Sequence, residues 1–402
     1  MKEPFLSAKP IIQKLEEQRF EAYFVGGSVR DYLLNRSIAD VDIATSATPE
    51  EVKNIFSVTI DTGIEHGTIL VIYKGKGYEV TTFRSESEYI DHRRPEKVRF
   101  IRSLTEDLKR RDFTMNAIAM NIHGEIIDPF HGRLALKNRV IECVGKANER
   151  FHEDALRMMR AIRFVSQLSF SLEHETKLAI KANAPLLQHI AVERILQECT
   201  KLFQGKNKKQ ALRFLYECDL WNYLPELKHH KDLFPCLQKW EIDHLSENQV
   251  WLLLLFLSKT NNPTSFLKSW RMPTKKINYL SKALFFLHKR LQEEWTVYSL
   301  YQATKEISID VESVYQMIQK QSDENIEQKI NEIFLSMPIQ KREELKVTGT
   351  DLMTWFERPR GPWIKQALEM IEKAVVLKIV ANEKKAIKGW ILTCNLQQEN
   401  DC

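Results

Sequence analysis

The chain has no Cys-x-x-Cys pair and no cysteine close to a pair of histidines. Its six cysteines, Cys143, Cys199, Cys218, Cys236, Cys394 and Cys402, are scattered over 402 residues. That scatter argues against a zinc site and against a disulfide framework, and it suits a reducing, cytoplasmic setting. No long apolar run occurs either. The longest, Val250 to Leu257, is far short of the roughly 20 residues needed to cross a bilayer, so it reads as a buried helix and no membrane partner is expected. The opening residues, MKEPFLSAKP, hold no apolar signal core. Repeats and low-complexity stretches are absent too. Charge of one sign is barely in excess: Lys and Arg number 59 against 54 Asp and Glu, a net +5. This permits a phosphate-rich partner without requiring one. His229 and His230, adjacent within a lysine-containing stretch, read as a solvated turn.

What is present divides into two kinds of sequence. Up to about Gly145, short helices alternate with short strands. A helix carrying Ile11, Ile12 and Leu15 is expected to open at Pro10, a position where proline is tolerated. A strand over Ala22 to Val25, a Gly26-Gly27 turn and a helix through Arg30 to Asn35 follow, then a strand around Asp40 to Ala44. Thr48-Pro49-Glu50-Glu51 has the form of a capping box. Gly67 to Tyr73 and Gly77 to Phe83 read as a hairpin joined at Lys74-Gly75-Lys76. Beyond residue 146, apolar residues recur three and four apart, as in Ile364, Ala367, Leu368, Ile371 and Val375, and glycine thins out. Helix breaks are expected at Asn261-Asn262-Pro263 and Met272-Pro273. The expected class is therefore α+β: a head with a small mixed β-sheet, then an all-helical remainder.

The chemistry gathers in a few short motifs. Gly26-Gly27-Ser28-Val29-Arg30-Asp31 ends a strand and opens a helix, where the backbone can approach a phosphate closely and Arg30 adds positive charge. Asp40-Val41-Asp42 follows. Two residues apart on a strand, its carboxylates project from one face and repel each other unless a cation lies between them, which suits Mg²⁺. A lone pair of this kind is far more often an acid-rich loop. Glu79, flanked by Tyr78 and Val80, either faces solvent on an edge strand or joins the metal site.

These residues, with two further blocks, carry a family resemblance. GGSVRDYLLNR followed by DVD resembles the DNA polymerase β-type nucleotidyltransferases. Arg110-Arg111-Asp112-Phe113-Thr114-Met115-Asn116-Ala117 and Glu153-Asp154-Ala155-Leu156-Arg157-Met158-Met159-Arg160 resemble the RRDFTxNA and EDxxR motifs of class II CCA-adding enzymes, and Gly361-Pro362-Trp363-Ile364 resembles their tail. The resemblance spans almost the whole chain. It implies a catalytic head (1–145), a base-recognising neck (146–205), a body (206–272) and a tRNA-binding tail (273–402). It also implies CTP and ATP as substrates, the acceptor and T arms of tRNA as partner, Mg²⁺ as cofactor, pyrophosphate as leaving product, and a homodimer. No histidine–aspartate phosphohydrolase segment is visible, so no attached phosphatase activity is expected.

Physical arguments assign roles to several of these positions. Asp154 and Arg157, one helical turn apart, are expected on one face as an acceptor beside a donor. Cytosine and adenine offer an amino donor beside a ring-nitrogen acceptor, whereas uracil and guanine offer the reverse order. Such a pair would select C and A, and its competing role is an intrahelical salt bridge of little energetic weight. Arg160 and Arg163, with Gly27 and Arg30, are candidates to hold the triphosphate. Arg111 and Asp112 are candidates for the ribose hydroxyls by resemblance. Glu106 to Arg110 is an EDxxR look-alike, read as the approach to the RRD block. Arg84 to Arg94, ahead of Pro95, is polar and aperiodic and reads as a flexible loop, which by resemblance points to A addition. Asp128-Pro129-Phe130-His131-Gly132 resembles the family's hinge, with His131 and Ala135 where glycine and aspartate are expected.

Overall fold

The computed structural model describes residues 1–90, 94–321 and 325–394, with backbone only at 86–90 and 94–98. Chain contacts divide it into two compact units: Met1–His244 with Ser269–Arg271, and Leu245–Lys268 with the chain from Met272 onward.

The first unit begins with α1 (Phe5–Glu17), whose buried stripe is Phe5, Ala8, Ile11, Ile12 and Leu15. The helix starts five residues before the expected Pro10, which sits inside it. The apolar stripe, continuing back to Phe5, outweighs the one backbone bond that proline forfeits. A seven-stranded sheet follows in the spatial order β3 (Thr59–Gly63), β4 (Thr68–Tyr73), β5 (Lys76–Thr82), β2 (Asp42–Thr45), β1 (Ala22–Val25), β8 (Ala119–Met120) and β9 (Ile126–Ile127). β2 and β5 run parallel and the other neighbours antiparallel, so the sheet is mixed, as expected. The β4–β5 hairpin turns on Lys74 and Gly75, both at positive φ, with Tyr73 paired to Lys76. This two-residue turn is one residue tighter than the sequence suggested. Helices α2 (Gly27–Leu33) and α3 (Pro49–Ile55) flank these strands. At α3 the capping box forms in full: Glu51 N donates to Thr48 Oγ1 at 3.3 Å and Thr48 N to Glu51 Oε2 at 2.7 Å.

The expected flexible loop is instead a separate hairpin, β6 (Arg84–Ile90) with β7 (Arg94–Phe100); residues 91–93 lie outside the described residues. The backbone register pairs Arg84 with Phe100 and Ile90 with Arg94, and the mostly polar sequence RSESEYI carries no apolar alternation to announce it. Next come α4 (Leu104–Lys109), α5 (Gly132–Asn138) and β10 (Val140–Ile141), which pairs in parallel with β11 (Ser171–Leu172). The helices α6 (Ala147–Glu153), α7 (Leu156–Leu168), α8 (His174–Asn183), α9 (Val192–Phe203), α10 (Lys208–Glu217) and α11 (Leu233–Leu237) complete this unit. His229 ends a short 3₁₀ turn, exposed as expected.

The second unit is helical among its described residues. α12 (Glu247–Ser258) buries Val250 to Leu255, and breaks fall on either side of α13 (Pro263–Ser269), where Asn261–Pro263 and Met272-Pro273 were expected to place them. α14 (Thr274–Arg290), α15 (Val297–Ala303), α16 (Lys305–Gln319), α17 (Ile326–Ser336), α18 (Gly349–Phe356), α19 (Trp363–Val376) and α20 (Lys384–Thr393) follow. Leu300, Phe334, Leu352, Ile371, Val375 and Ile387 form the centre of its apolar core. No described helix is long and apolar enough to cross a membrane.

Candidate active site

β1 leads directly into α2, and the chain turns at Gly26 with φ 71° and ψ −135°, a conformation side chains resist. A Cβ there would lie 3.1 Å from Arg111 Nη1 and 3.8 Å from Asp42 Oδ2. Gly26 thus lets backbone, a carboxylate and a guanidinium meet. α2 has only seven residues, so close approach contributes more than its dipole.

Asp42 opens β2, the middle strand, and lies in register with Glu79 on β5. β5 is flanked on both sides, so Glu79 is not on an edge strand. Asp40 departs from expectation: it precedes the strand and is exposed. Buried Val41 lies between it and the partly buried Asp42, consistent with Asp40 and Asp42 projecting to the same side. Burial first, then the charges of Glu79 and Asp40, push the Asp42 carboxyl up, while Arg111 pulls it down. Carboxylates left in mutual repulsion are a donor set suited to a hard divalent cation, with room for water and phosphate oxygens. No cluster of three His, Cys, Asp or Glu ligands occurs among the described residues.

The basic side of the site comes from α7 and the RRD block. Guanidinium carbons of Arg30, Arg160 and Arg163 lie 5.2, 5.6 and 4.3 Å from the centre of the Phe164 ring. Arg30 donates to Asp31 and, at 2.7 Å, to Asn116 Oδ1. Arg160 donates through Nε and Nη2 to Asp112 Oδ2 at 2.8 and 2.5 Å. Burial alone would raise the Asp112 carboxyl, but Arg160 and the Asn116 amide outweigh it and hold it at about 2. Arg163 lies beside Glu198, its Nε 3.1 Å from the carboxylate, and burial pulls its guanidinium down to about 10. Arg111 pairs with Asp107 at 3.1 Å, and Arg110 shares that carboxylate. The look-alike segment before the RRD block therefore anchors that block's arginines.

Asp154 and Arg157 are not arranged as expected. The helix breaks at Asp154, which caps α6 in an extended conformation, while Arg157 lies in the first turn of α7. Arg157 donates to Glu153 at 2.6 Å and to the carbonyls of Arg150 and Arg110. Asp154 accepts instead from Leu156 N at 3.1 Å and from Arg194 on α9 at 3.0 Å. The salt bridge that Arg157 does make runs across the helix break to Glu153, the last residue of α6.

A cavity of about 880 Å³ nevertheless gathers most of these residues: Gly27, Arg30, Asp42, Arg111, Asp112, Asp154, Arg157, Arg160 and Arg163 all line it. Asp40 and Glu79 do not line it; both are exposed, and their charges reach Asp42. Sequence reasoning missed Asn116, Gln167, Arg194 and Lys201, which also line the cavity, and Glu198 behind Arg163. Arg194, Glu198 and Lys201 follow helical spacing on an amphipathic helix, the one signal that could have marked them.

Residues 22–142 match the poly(A) polymerase head domain model, 169–231 the model described as "Probable RNA and SrmB- binding site of polymerase A", and 243–391 the tRNA nucleotidyltransferase domain 2 model. A CCA-adding enzyme of Listeria monocytogenes is 48% identical over 97% of this chain and 99% of its own length. One from a Geobacillus strain is 47% identical over 100% of both. The crystal structure of the Bacillus stearothermophilus CCA-adding enzyme in complex with CTP superposes with a TM-score of 0.88 at 45% identity, covering 98% of each chain. The chain belongs to the family of CCA-adding enzymes, the tRNA nucleotidyltransferases.

Proposed function

We propose that the protein rebuilds the complete 3′-terminal CCA of tRNA, drawing on CTP and then ATP without a nucleic-acid template. The observation that carries this reading is one cavity whose wall holds the crowded carboxylate Asp42, the guanidiniums of Arg160 and Arg163, and Asp154 and Arg157. The terminal 3′-hydroxyl oxygen attacks the α-phosphorus, forming a new ester bond, while the bond to the β-phosphate oxygen breaks and pyrophosphate leaves. Asp40 and Asp42, with Glu79 beside them, would hold Mg²⁺. When bound, that ion eases loss of the hydroxyl proton and offsets phosphate charge.

The chain's own residues hold and orient the nucleotide. Gly27, Arg30, Arg160 and Arg163 take the triphosphate, the phosphates competing with Asp112 and Glu198 for the last two. Arg111 and Asp112 are assigned to the ribose hydroxyls. Asp154 accepts from the base amino group while Arg157 donates to the ring nitrogen, from opposite sides of a helix break. Residues 1–145 serve as catalytic head, 146–205 as neck, 206–272 as body and 273–402 as tail, the helical part gripping acceptor and T arms by shape and phosphate contacts. Mg²⁺ as the metal, a cytoplasmic location and a homodimer extend the same family reading.

The test offers purified protein and Mg²⁺ tRNAs ending before CCA, after C and after CC, with each nucleotide alone and with CTP plus ATP. The expected product is three added nucleotides and a stop on the shortest tRNA, no use of UTP or GTP, and loss of all addition with EDTA. Extension restricted to the tRNA ending in CC would make it an A-adding enzyme, and a long tail a poly(A) polymerase.

A further inference from the structure

We infer that Arg194, on α9, is the positioning residue for base selection: it holds the Asp154 carboxylate in the orientation that accepts from a cytosine or adenine amino group. This rests on the base-reading role proposed above for Asp154 and Arg157. Asp154 caps α6 at φ −137° and ψ 103°, so no helix fixes its side chain. Two contacts do so instead. Leu156 N reaches Oδ1 at 3.1 Å, and the Arg194 guanidinium reaches Oδ2 at 3.0 Å and Oδ1 at 3.5 Å. A planar fork lying on both oxygens sets the plane of the carboxylate, which a single backbone donor cannot do. Oδ2 keeps a second lone pair for an incoming amino hydrogen. Both side chains remain reachable from the cavity, at 30% exposure for Arg194 and 18% for Asp154.

Arg157 is held by Glu153 and by the Arg150 and Arg110 carbonyls, three partners that lie outside α9. Losing Arg194 therefore leaves the donor half in place and disorders only the acceptor half. A site reduced to its donor no longer demands an amino group, and uracil and guanine carbonyls become acceptable partners. The same face of α9 carries Glu198 four residues on, against Arg163, with both side chains under 9% exposed. One helix thus backs a base-reading group at one end and a phosphate-reaching arginine at the other. The two ends have different signatures, because triphosphate contacts do not depend on the base.

The experiment measures kcat/KM for CTP and UTP on tRNA lacking CCA, and for ATP and GTP on tRNA ending in CC. It uses full-length wild type, R194A, R194Q, D154A, the D154A/R194A double variant and E198Q, with melting temperature followed throughout. R194A and R194Q are expected to lower the CTP-over-UTP preference about tenfold or more, as loss of a charge-assisted contact to the reading group implies. R194A is expected to add nothing to D154A. E198Q is expected to raise KM for both nucleotides and leave their ratio alone. R194Q covers the case in which the alanine variant melts early. A preference that survives both Arg194 variants but is lost in D154A would overturn the inference and leave the base-reading role standing. A preference that also survives D154A would remove both.

Discussion

Asp112 receives four donors: the Phe113 amide and Asn116 Nδ2 on one oxygen, and Arg160 Nε and Nη2 on the other. Its folded-state carboxyl lies at about 2, below the ordinary 3.8, so its stabilising effect is complete above 3.8 and fades as pH falls towards 2. The gap between those values amounts to at most about 2 kcal/mol. Asp112→Asn should therefore lower the melting temperature at pH 6, and the deficit relative to wild type should narrow as pH drops from 4 towards 2. A deficit constant across that range would mean the charge contributes nothing. The motif made Asp112 legible, but its resemblance-based ribose role gave no hint of this internal pairing. Arg160 lies 48 positions away along the chain, and no local pattern announces such a partner. Arg194 was missed for the same reason: its partner Asp154 is 40 positions distant.

Among the elements, α5 explains the altered hinge motif. His131 adopts φ 58°, a left-handed position where glycine is the easy choice. The Asp128 carboxylate accepts from Gly132 N at 2.6 Å and Arg133 N at 2.9 Å, capping the first turn. A Cβ on Gly132 would lie 2.2 Å from the Thr114 carbonyl oxygen, so only glycine fits where α5 meets the RRD block. Asp128→Ala should cost about 1 kcal/mol, typical of a lost helix cap, seen as a lower denaturation midpoint, whereas Asp128→Asn should cost less. Capping was readable elsewhere, because Thr48 to Glu51 lie next to one another in the chain. The β6–β7 hairpin was not readable. Its strand sequences, RSESEYI and RPEKVRF, are mostly polar, and polar residues in register across a ladder look the same in sequence as polar residues in a loop. The break at Asp154 was hidden in a comparable way: EDALRMMR suits a continuous helix, and tertiary partners on either side end α6 there.

For the molecule as a whole, a net charge of +5 on 402 residues is modest. A polyanion reaching many basic side chains should still bind in a strongly salt-dependent way. KM for tRNA should rise steeply between 50 and 200 mM salt, and KM for CTP should rise much less, since a single nucleotide displaces few counterions. Equal slopes would argue against an extended phosphate-reading surface. The two-part plan, a mixed sheet followed by helices, was determined by sequence alone, since the periods of two and of 3.6 are local properties. The paired aspartates and the motif arginines were legible there too, carried in short ordered blocks. Tertiary structure decided what no local period encodes: which carboxylate each arginine meets, that Glu79 stands beside Asp42 on a neighbouring strand, and that α9 supplies the partner of Asp154. Pairings between groups tens of residues apart arise from packing of elements, and the chain order of those groups carries no trace of them.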